Sequence, residues 1–133
     1  EEFLAGLSAR LAPGGRLLTY SRSAAVRASL QRAGLQLYSL LPAPGERVGC
    51  SSGTMAVQPG GSCPAEGPGW RPLSPMEIEH PFTRAAVPFR DPDGEASSSE
   101  ILETRVLEQE ACGLEPTNAW QRRWRGDAAL QSR

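Results

Sequence analysis

Leu11-Ala12-Pro13-Gly14-Gly15-Arg16-Leu17-Leu18-Thr19-Tyr20-Ser21 is the stretch on which the fold turns. Proline cannot continue a helical ladder and glycine accepts positive φ, so Pro13-Gly14-Gly15 ends the element before it. Upstream, Phe3, Leu4, Leu7 and Leu11 fall at i, i+1, i+4 and i+8, one face of a short helix. Downstream, Arg16 to Ser21 reads as a strand. Leu17 and Leu18 stand side by side, a pattern suited to a strand covered on both faces, as in a parallel sheet. Ser21 or Ser23 is the candidate N-cap of the next helix. That helix carries Val26, Leu30 and Ala33 inward and Arg22, Arg27 and Arg32 mostly outward, and Gly34 stands where a C′ glycine belongs. Leu35 to Leu41 forms a second strand, stopped by Pro42-Ala43-Pro44-Gly45, and Gly53 to Val57 a third. No helix separates the last two strands, which predicts antiparallel pairing between them.

Helix, strand, helix, strand with short links is the rhythm of an α/β domain. Three strands and two helices cannot cover both faces of a sheet, so an earlier half of the sheet is expected to be missing. Residues 59–72 are rich in Gly and Pro and read as a flexible linker. Residues 73–95 read as extended and proline-punctuated. Ser97 and Glu100 make a capping box for a helix near 98–112, striped with Ile101, Leu102, Val106 and Leu107. Pro116-Thr117 opens a shorter helix over 117–125, with Trp120 and Trp124 one turn apart. The expected organisation is a half-domain at 1–58, a linker at 59–72 and a carboxyl-terminal extension at 73–133.

All 14 basic residues are arginine, and the net charge of the 133-residue chain is -1. No global field therefore draws it to nucleic acid. The charge is uneven: residues 1–41 and 116–133 are basic, whereas 95–115 hold six Glu and one Arg. No apolar run reaches the roughly 18 residues of a membrane helix. Cys50, Cys63 and Cys112 match no zinc spacing, so no metal site is expected; they read as reduced thiols, and His80, the single histidine, as a surface residue. With no basic-then-apolar leader, a cytoplasmic location is expected. Residue 1 is Glu and the first methionine is Met55, which leads to the expectation of an internal start, a processed form or a truncation.

These residues carry a resemblance. Leu11-Ala12-Pro13-Gly14-Gly15-Arg16-Leu17-Leu18 is similar to the helix–strand junction in the later half of class I S-adenosylmethionine-dependent methyltransferases. Thr19-Tyr20-Ser21, then Val26-Arg27, Leu30 and Ala33-Gly34, resembles the MnmC-like tRNA-modifying methyltransferases. Gly45-Glu46-Arg47 and Gly53-Thr54-Met55 fit the turn before their last strand. Thr83-Arg84-Ala85-Ala86-Val87-Pro88-Phe89-Arg90-Asp91-Pro92 and Leu114-Glu115-Pro116-Thr117 resemble the extension of the shorter cyanobacterial members. The resemblance implies the carboxyl-terminal half of a Rossmann-like sheet, S-adenosyl-L-methionine as cofactor, and methyl transfer to the aminomethyl group of wobble 2-thiouridine in tRNA. Such enzymes hold the cofactor on a glycine-rich turn, an acidic strand end and an Asp-rich motif, all upstream of residue 1. The isolated chain is therefore expected to be inactive, with the amino-terminal half or a separate oxidoreductase as possible partners. Flavin binding is not expected.

The carboxyl ends of parallel strands are where α/β proteins bind ligands. That places Tyr20, Ser21 and Arg22 beside a substrate, the Tyr20 phenol as a hydrogen-bonding group to an amine or base edge. Arg47, Arg84 and Arg90 suit tRNA phosphates because the guanidinium fork grips two oxygens. Asp91 is the candidate acceptor for a proton of the substrate amine. The helix with Trp120, Trp124 and Arg122, Arg123 and Arg125 has two readings: a stacking platform for unpaired bases, or an anchor that buries apolar area against the body. A non-catalytic RNA- or protein-binding module, or a degenerate methyltransferase remnant, is the alternative for the whole chain.

Overall fold

The Pro13-Gly14-Gly15 break stands where the sequence puts it, and it does more than end a helix. Gly14 has φ +74°, and a Cβ added to Gly61 would lie 2.3 Å from the Gly14 Cα. The Gly14 N–H donates to the Gln58 carbonyl and the Gln58 N–H to the Gly15 carbonyl. The strand entry and the 58–61 turn therefore lie against each other, an approach that only two glycines permit. The computed structural model describes residues 2–43, 45 and 51–131.

Helix α1 (Glu2–Ser8) leads through the break to strand β1 (Arg16–Thr19), helix α2 (Ala24–Arg32), strand β2 (Gln36–Leu40) and strand β3 (Gly53–Val57). Ser23 rather than Ser21 caps α2, its hydroxyl accepting from the Val26 N–H. Gly34 follows at φ +85°. β3 lies between β1 and β2 and runs antiparallel to both, so β1 and β2 are parallel to each other, joined by α2. The register sets Leu17 and Leu37 on either side of Ala56, and Thr19 and Ser39 on either side of Thr54. Leu30, Leu35 and Ala56 form the buried core, with Leu4, Leu11, Leu17, Val26 and Leu37 around them. This is the α/β arrangement expected from the sequence.

Several expectations are corrected. Leu18 is 63% exposed. Residues of α1 and α2 pack with Leu17, and the paired leucines mark the limit of a covered face rather than a strand buried on both. The end of the Gly/Pro-rich stretch is ordered: Trp70–Pro72 forms strand β4, which adds antiparallel to β2. The Arg16 guanidinium lies 5.0 Å from the centre of the Trp70 ring, a cation–π contact. Residues 73–95 are more helical than their prolines suggest. Pro75–Glu79 forms helix α3 behind a Ser74/Glu77 capping box, and 3₁₀ turns follow at His80–Phe82 and Arg84–Ala86. Proline at the first helical position loses no hydrogen bond, so it starts such elements rather than breaking them. Ala24, Ala28 and Ala86 pack together, their short side chains letting the second turn approach α2 closely.

Helix α4 (Ser98–Ala111) has the predicted Ser97/Glu100 capping box and ends at Cys112, with Gly113 at φ +66°. Helix α5 (Thr117–Gln131) runs past the expected residue 125. Among the described residues, no helix is long and apolar enough to cross a membrane.

Candidate functional site

The inward row Thr19, Thr54 and Ser39 is polar, and it lies at the carboxyl ends of β1 and β2. Buried hydroxyls need partners, and α2 supplies one. Arg27, read from the sequence as an outward residue, is 1% exposed. Its Nε donates to Thr54 Oγ1 at 2.9 Å and its Nη1 to Glu77 Oε1 at 3.1 Å. Its Nη2 reaches Ser39 Oγ at 3.3 Å, and Ser51 Oγ and the Gly53 carbonyl at 3.4 Å. A buried guanidinium is tolerated only when paired and hydrogen-bonded, and here both conditions hold.

Glu77 is the counter-charge. It also accepts from the Arg71 guanidinium at 2.7 Å, the Ser74 N–H at 2.8 Å and the Ser39 hydroxyl. Burial works to raise its pKa. Hydrogen bonds from Ser39, Arg71 and the Ser74 backbone, with the charge of Arg27, outweigh burial and bring it down to about 2. Glu77 is thus a fixed anion, unsuited to taking a proton near neutral pH.

Around this pair opens a groove of about 490 Å³, lined by Arg22, Arg27, Ser51, Arg71, Glu77, His80 and Trp120 among others. Three guanidinium groups face one carboxylate. His80 is half-buried and stacks on Trp120, the ring centres 4.4 Å apart and the planes 8° from parallel. Burial, and then the charge of Arg27, hold the His80 imidazole below its ordinary pKa, which favours the neutral ring. Trp120 is 3% exposed, and its buried Nε1–H has no acceptor among the described residues. Such an orphaned donor costs about 1–3 kcal/mol.

The sequence-predicted residues fall into two groups. Arg22 lines the groove, its Nη1 donating to the Ser51 carbonyl at 3.1 Å. Beside it the Ser21 carbonyl accepts from Thr54 Oγ1, and the Ser21 hydroxyl contacts that of Ser23. Tyr20 is 93% exposed. Arg84, Arg90 and Asp91 do not line the groove. The Arg84 Nε donates to the Leu114 carbonyl, Arg90 pairs with Glu108, and Asp91 accepts from the Ala96 N–H. All three lie where the 83–96 segment meets α4 and the residues around it. Arg47 lies outside the described residues. The Trp/Arg helix is an anchor: Trp120 is buried, Trp124 Nε1 donates to Glu79, and Arg123 pairs with Glu79 and Glu115. The sequence reading missed Arg71, Glu77, His80 and the inward turn of Arg27. The signal available for Arg27 was the row of hydroxyls at inward strand positions.

With this geometry in view, residues 1–56 match the family model described as S-adenosyl-L-methionine-dependent methyltransferase. The matched stretch includes Arg22, Arg27 and Ser51 of the groove, and Ser39 and Thr54, which hold Arg27 behind it. The chain is also similar to the crystal structure of MnmC2 from Aquifex aeolicus, with a TM-score of 0.62 and 22% sequence identity over 83% of this chain. It spans about a third (32%) of the length of that structure's chain. No curated protein sequence matches the chain.

The groove itself does not fit the cofactor. S-adenosyl-L-methionine carries a sulfonium cation, and three arginines against one glutamate repel a cation. Gly53, whose carbonyl accepts from Arg27, is not part of a cradle: a Cβ there would meet the Thr19 carbonyl oxygen at 2.3 Å, across the β1–β3 pairing. By charge, the groove suits an anion.

Proposed function

We propose that this chain forms the acceptor-substrate side of an S-adenosyl-L-methionine-dependent methyltransferase that acts on the aminomethyl group of wobble 2-thiouridine in tRNA. The observation that carries this reading is the position of the arginine groove. It opens at the carboxyl ends of β1 and β2, and Arg22, Arg27 and Ser51 of its lining fall in the stretch that matches the methyltransferase family model, while Arg71, Glu77, His80 and Trp120 come from beyond it. The resemblance of Thr19-Tyr20-Ser21 and Val26-Arg27 to MnmC-like tRNA-modifying methyltransferases supports tRNA as the substrate class, and the fold similarity to MnmC2 agrees with it. Methyl transfer to an amine needs a neutral nucleophile aligned with the methyl group. The groove's part is to hold the substrate anion and fix its orientation. A cytoplasmic location goes with this function.

The 133 residues carry none of the family's cofactor motifs and are proposed to bind no S-adenosyl-L-methionine alone. Two assays on the purified chain test this. Equilibrium dialysis should show no retention of radiolabelled S-adenosyl-L-methionine, while filter binding should retain tRNA with an affinity that falls as salt rises. Methyl transfer to tRNA by the chain alone overturns the inactivity. Absence of tRNA retention at low salt overturns the acceptor role.

A further inference from the structure

Trp120 and Arg22 line one groove; among the described residues the Trp120 indole N–H has no acceptor and the Arg22 guanidinium has no carboxylate. Among the described residues Arg22 pairs with no carboxylate; its one hydrogen bond goes to the Ser51 carbonyl. Arg27 and Arg71 already share Glu77. The groove therefore holds more positive charge than its single carboxylate balances, and the excess lies with Arg22. Trp120 adds a donor that is buried and unsatisfied. An indole N–H without an acceptor and a guanidinium without a counter-charge, with fixed arginines behind them, describe a receptor for a tetrahedral oxyanion.

We propose that the groove is a phosphate subsite, in which Arg22 grips two oxygens of an RNA backbone phosphodiester and the Trp120 indole N–H donates to the same group. Glu77 has a positioning role: it holds Arg27 and Arg71 in place, so that the groove is built before the ligand arrives. The stacked His80 forms the neutral wall beside the phosphate. The inference rests on the proposed tRNA substrate for its source of phosphate. Its test uses neither S-adenosyl-L-methionine nor methyl transfer, so the two readings can fail separately.

The experiment is a titration of the ¹⁵N-labelled chain with the trinucleotide UpUpU, with inorganic phosphate as a parallel arm. The indole resonance of Trp120 is assigned by elimination with W70F and W124F. The expected result is a downfield shift of the Trp120 indole proton with UpUpU, saturating with one affinity. Arg22→Gln should weaken that affinity about tenfold, and Arg22→Lys should fall between, because lysine keeps the charge and loses the fork. The amide spectrum of each variant reports that it is folded. Arg122→Gln, on α5 outside the groove, should leave the affinity unchanged. No indole shift with either probe, or equal binding by folded Arg22→Gln, overturns the subsite. Inorganic phosphate binding as tightly as UpUpU overturns the RNA backbone as its source.

Discussion

Arg27 shows how one side chain joins chain segments distant in sequence. It lies on α2, yet its donors reach β2, β3, the Ser51 turn and α3. Removing one partner of a buried pair leaves the other charge stranded, which costs about 3–5 kcal/mol. Arg27→Met should lower the unfolding free energy by about that amount, read as a shift in urea midpoint with little change in slope. Glu77 sets the acid limit. Its folded pKa of about 2 lies below the ordinary glutamate value of 4.5. The unfolded chain therefore takes up the proton first, and the stability Glu77 contributes is full above pH 4.5 and lost as pH falls towards 2. Glu77→Gln should flatten that part of the stability–pH curve; a curve of unchanged steepness would place the acid response elsewhere.

At the scale of the element, α4 docks in an unusual way. Its polar side chains face the body: Arg105 donates to the Val87 and Ala85 carbonyls and lies 4.3 Å from the centre of the Phe89 ring, and Gln109 donates to the Arg84 carbonyl. Leu102, Val106 and Leu107 of the predicted apolar stripe remain 49–65% exposed. Arg105→Ala should therefore release α4 and speed proteolysis within residues 98–111. Leu107→Gln should change stability by no more than about 0.5 kcal/mol. Equal protease sensitivity in the two variants would show that the polar contacts do not hold the helix. Ser97→Ala removes the hydroxyl half of the capping box and should cost about 1 kcal/mol, read from the thermal midpoint.

For the whole molecule, the central strand β3 is buried on both faces, whereas β1 forms an edge. Among the described residues β1 pairs only with β3, and Leu18 and Tyr20 beside that edge are 63% and 93% exposed. An open edge with apolar neighbours invites pairing with another chain, and a lysine blocks it. Leu18→Lys should suppress concentration-dependent association in sedimentation and light scattering, with stability within about 0.5 kcal/mol of the parent. Association that persists undiminished would point to a different surface, such as the exposed side of α4.

Local rules in the sequence determined the elements. The Pro13-Gly14-Gly15 break, the glycine after α2, the antiparallel β2–β3 pairing and the Ser97/Glu100 cap follow from backbone sterics and hydrogen-bond needs within a few residues. The strand end at Ser21 and Arg22 was legible as the mouth of a crevice for the same reason, since the α/β rhythm says where such crevices open, and Arg22 lines the groove found there. What lay beyond reach depends on contacts between distant segments. Arg27 sits on a helix whose polar residues read as solvent-facing, and its burial is set by Ser39, Thr54 and Glu77, 12, 27 and 50 residues away. His80 read as a surface residue because its stacking partner, Trp120, is 40 positions further along the chain. Leu18 read as covered because periodicity reports how apolar a face is, not whether anything packs against it. Burial, charge pairing and the groove itself belong to the tertiary structure, because each is a relation between segments that no local pattern contains.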